Sequence, residues 1–576
     1  MKTVWTDTLD HNAVLPEYPR PQMERDSYLN LNGIWEYAIT KADEEYKGAD
    51  GNILVPFSPE TALSGVGRSL RPTETLWYSR CFTLPDGFNR GRVLLHFGAV
   101  DQEAEVCLNG RLLGSHSGGY LPFSFDITDA LADGENELTV KVRDVSDTSC
   151  HSRGKQKTKR GGIWYTPQSG IWQTVWCESV PKQYIAALHI TPLYDESSVE
   201  ICAIPSYSAL DLPCIVRVGD VVQHGFAGRP IRVSMEGFRP WSPEQPNLYD
   251  FEVRMGDDCV KSYFAMRKFG VGKDENGISR LFLNGKPYFH SGVLDQGYWP
   301  ESLYTPPSDE AMVYDIETMK AMGFNMLRKH IKVEPLRWYY HCDRLGMLVW
   351  QDMINGGGKY RVTTISAPLI TGKHLKDGEA NYRRFGREDE AGRQAYYEEL
   401  EDMVTLLYNT PSVAMWVPFN EGWGQFDAAE AVKRILAMDT SRTIDHASGW
   451  HDQGIGDVQS LHVYFRPYRF KPDKLGRAVL LTELGGYNCR INGHSFNKKD
   501  FGYKKFESTE ELLKAYRDLY EKEIIPAKEQ GLAATVYTQL SDVEDELNGL
   551  LTYDRAVEKL PRDAVRALNE KLTGSN

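Results

Sequence analysis

The sequence predicts a multidomain fold in which two N-terminal β-sandwiches precede a C-terminal (β/α)8 TIM barrel. A chain of 576 residues is too long for one hydrophobic core. Short runs with β-type alternation fill roughly the first 270 residues. From about residue 272 onward, apolar runs alternate with amphipathic helical segments, which is the pattern of βα units with a parallel sheet.

The two N-terminal regions are predicted to be sandwiches from their strand-like runs. Residues 1 to 182 contain RVLLHFGAV, EAEVCLNGRLLGS and NELTVKVRDV, and Asn109-Gly110 suits a two-residue hairpin turn. Residues 183 to 271 contain ALHITPL, SVEICAI, CIVRVGD and NLYDFEVRMG, spaced as in a smaller immunoglobulin-like sandwich. The charged segment RGKQKTKR (153–160) is expected to be an exposed loop.

Residues 272 to 576 are predicted to form the barrel. The eight candidate strands are PYFHSGVL (287–294), NMLRKH (325–330), MLVWQDM (347–353), VAMWVPFNE (413–421), TIDHAS (443–448), VQSLHVY (458–464), AVLLTELGG (478–486) and AATVYTQLSD (533–542). The active site of such a barrel lies at the C-terminal ends of the strands. The segment from Ile354 to Gly392 is predicted to be a long loop over the pocket, with Lys359, Tyr360 and Arg384 as candidate specificity residues.

Composition and charge disfavour several classes of partner. A formal net charge of -14 disfavours nucleic acids and anionic membranes, which require clustered Lys and Arg. The N-terminus shows no apolar signal region, and no apolar run approaches the length of a membrane span. The nine cysteines are scattered without a C-x-x-C pair, which favours a reducing compartment. We therefore expect a cytoplasmic protein without a nucleic-acid or membrane partner.

Two glutamates stand where apolar strands end. The run Val413–Phe419 leads toward Glu421, and the run Ala478–Leu481 leads toward Glu483. Three strand steps around an eight-stranded barrel place the two side chains on opposite sides of one mouth. One glutamate can then protonate a leaving oxygen while the other attacks an anomeric carbon or activates water, as glycoside hydrolysis requires. For Glu421 alone, the alternative is a helix-start carboxylate.

The glutamate that protonates the leaving oxygen must be neutral, whereas the glutamate that attacks the anomeric carbon must be ionised. Glu421 is expected to have a raised pKa near apolar neighbours such as Trp416 or Trp423, whereas Glu483 is expected to stay ionised beside a cation or hydrogen-bond donors. Arg328, at the end of the second strand, is a candidate for that cation, and a strand-end salt bridge is the alternative. Carboxyl groups roughly 5–5.5 Å apart predict retention of configuration, and roughly 6.5–9.5 Å predicts inversion.

Segments from most of the chain resemble glycoside hydrolase family 2, the β-galactosidase, β-glucuronidase and β-mannosidase family. LNGIWEYA, LWYSRCFTLP and GIWYTPQSGIWQTVWCE are similar to its first domain, and GFNMLRKH, WVPFNEGWG and LLTELGG are similar to its barrel motifs. The resemblance implies a sugar-binding jelly roll, an immunoglobulin-like sandwich and a catalytic barrel. It also implies a retaining double displacement in which Glu421 is the general acid/base and Glu483 is the nucleophile.

The resemblance extends to residues around this pair. Asn420 is similar to the asparagine that hydrogen-bonds the substrate 2-hydroxyl, and Arg328 matches the strand-two arginine near the nucleophile. His462 and Tyr464 stand where the family has a polar residue and a tyrosine that approaches the nucleophile. For Tyr464, a position in the core is the alternative.

Further candidate substrate contacts are predicted at other strand ends. They are Asp295 after strand one, Trp423 beside Glu421, and Gln539 and Asp542 after strand eight. Ordinary loop residues are the alternative. The segments after strands one and two differ from those of the metal-dependent β-galactosidases, and the histidines lack zinc-site spacing, so neither a metal nor another cofactor is expected.

A short basic motif suggests a sharper interpretation. Asn497, Lys498 and Lys499 fit the letters of the Asn-x-Lys pair with which family β-glucuronidases hold the substrate carboxylate, although they follow Glu483 more closely than that motif normally does. The alternative is a solvated basic loop.

The expected function is the exo-acting, retaining removal of a terminal β-linked sugar from a small carbohydrate or glycoconjugate. β-Galactosidase-like activity is the first expectation, with a β-glucuronidase or a galactofuranosidase or arabinofuranosidase as the alternative. A catalytically inactive carbohydrate-binding protein is the interpretation from a different class, and the presence of both Glu421 and Glu483 weighs against it. Family members often form oligomers, so a homo-oligomer is also considered.

Overall fold

The structure is a computed structural model that describes residues 1–42, 44–207 and 212–574, without the side chains at 366, 367 and 369–371. Its strands group into two N-terminal sandwiches and a C-terminal eight-stranded parallel sheet. This architecture confirms the predicted fold class.

The first sandwich contains the strands before residue 182. They are β1 (Leu29–Asn30), β2 (Gly33–Lys41), β3 (Gly51–Val55), β4 (Glu74–Thr83), β5 (Arg92–Phe97), β6 (Val100–Asp101), β7 (Glu103–Leu108), β8 (Arg111–Ser117), β9 (Phe123–Asp126), β10 (Glu135–Arg143), β11 (Gly170–Ile171) and β12 (Val175–Val180). The larger sheet has the order β3-β2-β4-β10-β7-β8, and it faces a second sheet with the order β1-β12-β5-β9. Asn109 and Gly110 join β7 to β8 with positive φ angles of 52° and 75°, the geometry of the predicted hairpin turn.

The second sandwich is smaller and antiparallel. Its strands are β13 (Ile185–Leu193), β14 (Ser198–Pro205), β15 (Pro213–Val218), β16 (Val221–Phe226), β17 (Ile231–Ser234), β18 (Tyr249–Met255) and β19 (Asp258–Phe264). They form two sheets of orders β13-β14-β17 and β16-β15-β18-β19 around a shared apolar core. A small sheet of β20 (Phe269–Lys273), β21 (Ser279–Leu283) and β22 (Lys286–Pro287) leads into the barrel. Because this sheet spans residue 271, the domain boundaries at 182/183 and 271/272 stay a proposal.

All eight predicted barrel strands are present, and they form a nearly closed parallel sheet. They are β23 (His290–Asp295), β24 (Met326–Lys329), β25 (Leu348–Asp352), β26 (Val413–Val417), β27 (Thr443–Ile444), β28 (Val458–Val463), β29 (Ala478–Gly485) and β32 (Leu532–Thr538), with a short pair β30 (Tyr487–Cys489) and β31 (Lys504–Phe506) outside the sheet. The sheet order is β27-β26-β25-β24-β23-β32-β29-β28. Every residue of β25, β26 and β29 is buried, as expected for strands covered on both faces.

Helices surround this sheet. They are α1 (Asp309–Ala321), α2 (Leu336–Leu345), α3 (Val362–Thr371), α4 (Tyr382–Phe385), α5 (Glu390–Leu407), α6 (Ala428–Met438), α7 (Thr509–Leu519), α8 (Ile525–Gln530) and α9 (Arg562–Thr573). Ser308 and Ser508 cap α1 and α7 by accepting backbone N–H groups. None of the helices in the described ranges combines the length and hydropathy that a membrane span requires.

Two predictions about loops are corrected by the structure. The segment from Ile354 to Gly392 is not one long loop, because it contains α3 and α4. The segment RGKQKTKR is not simply exposed, because residues 153–156 are buried against the barrel. The backbone N–H groups of Arg153 and Gly154 both donate to the Asn355 carbonyl, at 3.0 and 3.2 Å. These contacts bring part of the first sandwich to the carboxyl ends of the barrel strands.

Candidate active site

Two buried glutamates mark the mouth of the barrel. Glu483 lies within β29, and Glu421 follows β26 at a left-handed backbone position with φ of 50°. The backbone N–H of Glu421 donates to the Ser448 carbonyl at 3.0 Å, which fixes this turn. Glu421 and Glu483 retain 8% and 4% of their accessible surface. Strands four and seven therefore deliver both carboxylates to one enclosed region.

His462, at the end of β28, lies between the two carboxylates. Its Nδ1 atom is 2.8 Å from Glu421 Oε1 and 3.3 Å from Glu483 Oε2. One carboxylate oxygen from each glutamate and a ring nitrogen of His462 all lie within 4.8 Å of one another. The structure thus brings Glu421 and Glu483 face to face, with His462 in contact with both.

Arg328 connects four groups beneath this pair. Its guanidinium donates to Asp352 Oδ1 at 3.0 Å and Oδ2 at 3.1 Å, and to the Thr482 carbonyl at 3.0 Å. It also donates to Asn420 Oδ1 at 2.7 Å and to Glu483 Oε1 at 3.3 Å. Burial opposes the charge of Arg328, but Asp352 and Glu483 more than offset it and raise the guanidinium pKa. Arg328 is therefore a fixed positive charge that positions Asn420 and Glu483.

Asp352 was not among the residues that sequence reasoning selected. It is the last residue of β25, and it accepts hydrogen bonds from Arg328 and contacts His330 Nδ1 at 2.7 Å. The signal was available, because Asp352 lies at the end of a strand that begins with an apolar run, much as Glu421 follows an apolar strand. Burial, and then the charge of a lysine in the first sandwich, lowers the pKa of His330 well below its usual value.

Tyr464 contacts Glu483 from the side opposite Arg328. Its hydroxyl donates to Glu483 Oε2 at 2.5 Å and lies 2.9 Å from Thr538 Oγ1, and its ring stacks on Tyr503 at a centroid distance of 3.8 Å. Burial and the nearby charge of Glu483 raise the pKa of Tyr464 well above its usual value. The phenol therefore stays protonated and can act as a hydrogen-bond donor.

The expectation of a raised pKa for Glu421 is wrong for the ligand-free structure. Burial raises this pKa, but the hydrogen bond and charge of His462 outweigh burial, and the Trp423 indole also helps to lower it. The sequence showed the apolar neighbours of Glu421 but not the imidazole 41 residues further along the chain. The ionisation of Glu421 is thus set by a contact between two strand ends.

Trp423 connects Glu421 to an aromatic cluster at the rim. Its indole N–H donates to Glu421 Oε2 at 3.2 Å. Its ring packs edge-on against Trp164 of the first sandwich at 4.9 Å and against Tyr360 at 5.1 Å. These three residues line a cavity of about 700 Å³, and Trp423 connects it to Glu421. Of the other candidates in the 354–392 segment, Lys359 and Arg384 are exposed.

The remaining candidate contacts have other partners. Asp295 accepts from Lys329 Nζ at 2.6 Å, and Asp542 accepts from Lys559 Nζ at 2.6 Å. Gln539 accepts a hydrogen bond at 2.8 Å from Gln296. Asp295 and Asp542 thus each have a buried lysine as partner, and their role as sugar contacts stays a prediction.

The Asn-x-Lys candidate is partly exposed, and its asparagine contacts a carboxylate outside the glutamate pair. Asn497 Nδ2 donates to Asp545 Oδ1 at 2.5 Å, while Lys498 and Lys499 are exposed. This arrangement corresponds to the alternative interpretation, a solvated basic loop.

Within the described residues, Glu421, His462 and Glu483 form a group whose side chains lie close enough together to hold a metal ion. Two carboxylates and an imidazole are chemically suitable ligands for a divalent cation. Two of the three groups, the glutamates, are also the pair of carboxyl groups that glycoside hydrolysis requires. The absence of a metal cofactor therefore stays a prediction.

Comparisons with known proteins agree with this architecture. Residues 67–176 match the sugar-binding domain of glycosyl hydrolases family 2, and residues 278–482 match the TIM barrel domain of the same family. A protein of Formosa agariphila named putative beta-glucuronidase is 26% identical over 366 residues, covering 60% of this chain and 39% of the relative. A beta-galactosidase of Streptococcus thermophilus is 23% identical over 388 residues, covering 64% of this chain and 35% of the relative. The chain thus spans less than half of the length of these relatives.

A solved structure shows the same fold over nearly the whole chain. The beta-glucuronidase of an uncultured Clostridium sp. superposes with a TM-score of 0.72 at 18% identity, covering 96% of this chain and 99% of that one. At this identity the likeness establishes the fold alone. The two domain matches cover more than half of the sequence between them and fall on the first sandwich and the barrel. The chain belongs to glycosyl hydrolase family 2.

Proposed function

We propose that this chain is a retaining glycoside hydrolase that removes a terminal β-linked sugar with Glu421 as general acid/base and Glu483 as nucleophile. The observation that carries the proposal is the distance between the two carboxylates. Their nearest oxygens lie within 4.8 Å and both contact His462 Nδ1. Carboxylate oxygens this close favour direct attack by one glutamate, because inverting enzymes hold their carboxyl groups further apart, at roughly 6.5–9.5 Å, to place a water molecule between them.

The contacts of each glutamate support its proposed role. Glu483 accepts hydrogen bonds from Arg328 and Tyr464, which hold its carboxylate in place for attack on the anomeric carbon. Glu421 protonates the departing oxygen, and in the second step it removes a proton from the water that cleaves the glycosyl ester. Asn420 accepts from Arg328 through Oδ1, which leaves its NH₂ group to donate to a sugar hydroxyl.

The lowered pKa of Glu421 must be reversed when substrate binds. A glycosidic oxygen that takes the place of His462 beside Glu421 removes the strongest of the influences that lower this pKa. Burial, which is the largest influence, then favours the protonated acid. The ligand-free and substrate-bound states would thus hold Glu421 in different ionisation states.

The identity of the sugar is a separate part of the proposal. A β-galactoside is the first expectation from sequence, and β-glucuronides and furanosides are the alternatives. The relatives carry both beta-galactosidase and beta-glucuronidase names. Aryl β-galactoside, glucuronide, glucoside, mannoside and furanosides should be assayed with and without EDTA. We expect Glu483-dependent hydrolysis of one class that survives EDTA, and a loss of activity with EDTA would indicate a metal enzyme instead.

The stereochemistry of the product tests the mechanism directly. Proton NMR during the first minutes of hydrolysis should show the β anomer of the free sugar before mutarotation. Initial release of the α anomer would show inversion and would rule out Glu483 as the nucleophile. If none of the glycosides is hydrolysed, the alternative of an inactive carbohydrate-binding protein is favoured.

A further inference from the structure

Lys155 is a buried lysine without an ionic partner. It belongs to the first sandwich and retains 9% of its accessible surface. Its ammonium group forms no hydrogen bond or ion pair with any residue in the described ranges, and its nearest recorded ring is Tyr165, with the centroid 5.9 Å away. The ammonium nitrogen nevertheless keeps some accessible surface. It is therefore open to a ligand.

The other buried lysines of the described chain are all paired. Lys329 donates to Asp295 and Glu334, at 2.6 and 2.8 Å, and Lys332 donates to Glu334 at 2.8 Å. Lys559 donates to Asp542 at 2.6 Å. Buried charges in proteins are normally paired, because an unpaired ammonium away from water is costly. Lys155 is thus the exception that calls for a partner outside the described chain.

The backbone around Lys155 is held on both sides. Asn355 accepts from the N–H of Gly154 at 3.2 Å, and the Tyr165 N–H donates to the Lys155 carbonyl at 2.9 Å. Gly154 has a φ of 66°, and a Cβ at this position would lie 2.7 Å from the Tyr120 hydroxyl. The loop therefore reaches this position through a glycine, and its place against the barrel is fixed.

The loop of Lys155 lies at the ends of barrel strands two and three, because the Gly154 N–H donates to the Asn355 carbonyl and a Cβ at Gly154 would lie 3.3 Å from the Ile331 carbonyl oxygen. Asn355, which accepts from its loop, comes three residues after Asp352 at the end of β25. The positive charge of Lys155 contributes to lowering the pKa of both Glu421 and His330. Lys155 and Glu421 form no direct ion pair.

We propose that Lys155 is a specificity-determining residue whose ammonium pairs with an anionic substituent, the carboxylate of a uronic acid, on the terminal sugar. This inference rests on the proposed function and selects a substrate class for the same site. A neutral sugar leaves the ammonium unpaired, whereas a carboxylate completes a buried ion pair. A site built for a charged group discriminates strongly against analogues that lack it.

The pairing also connects recognition to catalysis. An anion on Lys155 neutralises one of the charges that lower the pKa of Glu421. The acid is then better able to keep its proton when the correct substrate is bound. The first sandwich would in this way contribute directly to the choice of substrate by the barrel.

The test compares Lys155→Met with Lys159→Met, a control at an exposed lysine of the same loop. The substrates are aryl β-glucuronide, β-galacturonide and 6-sulfo-β-galactoside, against the neutral glucoside and galactoside. We expect the unmodified protein to prefer an anionic substrate. Lys155→Met should lower kcat/KM for that substrate on the order of 100-fold and for neutral substrates by less than about 5-fold. Lys155→Arg should restore part of the loss, and Lys159→Met should change neither.

The three anionic substrates separate a carboxylate from a sulfate ester as the group that is recognised. The inference would be overturned if the unmodified protein preferred a neutral sugar or only the sulfated sugar. It would also be overturned if Lys155→Met lowered kcat/KM equally for anionic and neutral substrates. Glu483-dependent activity would still support the proposed function in those cases.

If the unmodified protein hydrolyses none of these substrates, the proposed function fails. Lys155 can then be tested by itself with titration calorimetry, in which the binding of glucuronate and galacturonate to the protein is compared with that of glucose. Binding of either uronate that is lost in Lys155→Met supports the anion site, and equal binding of uronates and glucose contradicts it. If Lys155→Met does not fold, Lys155→Gln replaces it as the variant without the charge, and Lys155→Arg is the variant that keeps the charge.

Discussion

Two sides of the barrel mouth both present buried carboxylates, but they use them differently. On one side, Asp295 at the end of β23 and Asp542 after β32 are each paired with a buried lysine at 2.6 Å. On the other side, Glu421 and Glu483 face one another across His462. The position of a carboxylate at a strand end is therefore insufficient to identify a catalytic group. The partner decides whether the carboxylate is available for chemistry.

The pKa values of Asp542 and Glu421, one on each side of the mouth, are also shifted in opposite directions. Burial raises the pKa of Asp542 to about 6, against the opposing influence of Lys559. For Glu421 the balance is reversed, because His462 outweighs burial and lowers its pKa. Lys559 forms an ion pair with one carboxylate, that of Asp542, whereas His462 contacts the two carboxylates of Glu421 and Glu483. The comparison predicts that substitutions on one side affect stability and substitutions on the other affect turnover.

The largest effect is expected from Glu483→Gln. This change keeps the size of the side chain and removes the nucleophile, so kcat on the preferred aryl glycoside should fall by roughly 10⁴-fold or more. The unfolding midpoint should hardly change, because Arg328 keeps both hydrogen bonds to Asp352. A loss below about 10-fold in a folded variant would remove Glu483 from the mechanism.

Glu421→Gln is expected to have the next largest effect, and its size should depend on the substrate. With a poor leaving group, loss of the general acid should lower kcat on the order of 10²–10⁴-fold. With a dinitrophenyl leaving group, which departs without protonation, glycosylation should be much less affected. The measurement is the ratio of kcat/KM values for the two aglycones. The same loss for both aglycones would contradict the acid role.

On the opposite side, Asp542→Asn should act on stability. It leaves the ammonium of Lys559 buried without its carboxylate, which typically lowers the free energy of unfolding by about 3–5 kcal/mol. Urea unfolding should show this loss, while the rate of the remaining folded molecules at low temperature should stay close to that of the unmodified protein. The double variant Asp542→Leu with Lys559→Met should recover most of the stability. A severe loss of activity without a loss of stability would instead place Asp542 in the sugar site.

Much of the scaffold was predictable from sequence because its signals are local. The strands β25, β26 and β29 each begin with a run of apolar residues, and Asn109-Gly110 specifies its turn with two adjacent residues. The resemblance of WVPFNEGWG and LLTELGG to family motifs also selected Glu421 and Glu483. These features are encoded within a few positions of one another.

The partners of these residues were harder to predict because they depend on separate strand ends. His462 is 41 residues from Glu421 along the chain, and Lys559 is 17 residues from Asp542. In both cases the two partners belong to different segments that meet only in the folded barrel. Lys155 reaches the barrel from the first sandwich, and its charged segment resembles any solvated loop in sequence. Sequence patterns located the carboxylates but could not distinguish which had a lysine, a histidine or a substrate as partner.

The smallest effect we predict is a shift in pH dependence with His462→Gln. The hydrogen bond and charge of His462 lower the pKa of Glu421, so their removal should let burial raise it. Because the general acid must be protonated, the alkaline limb of the kcat/KM profile should move to higher pH in the variant. Ser448→Ala is a matched control, since it removes a 3.2 Å contact of His462 Nε2 and leaves Nδ1 beside Glu421. If the alkaline limb of the kcat/KM profile stayed in place or moved to lower pH in His462→Gln, then His462 would not be the group that lowers the pKa of Glu421.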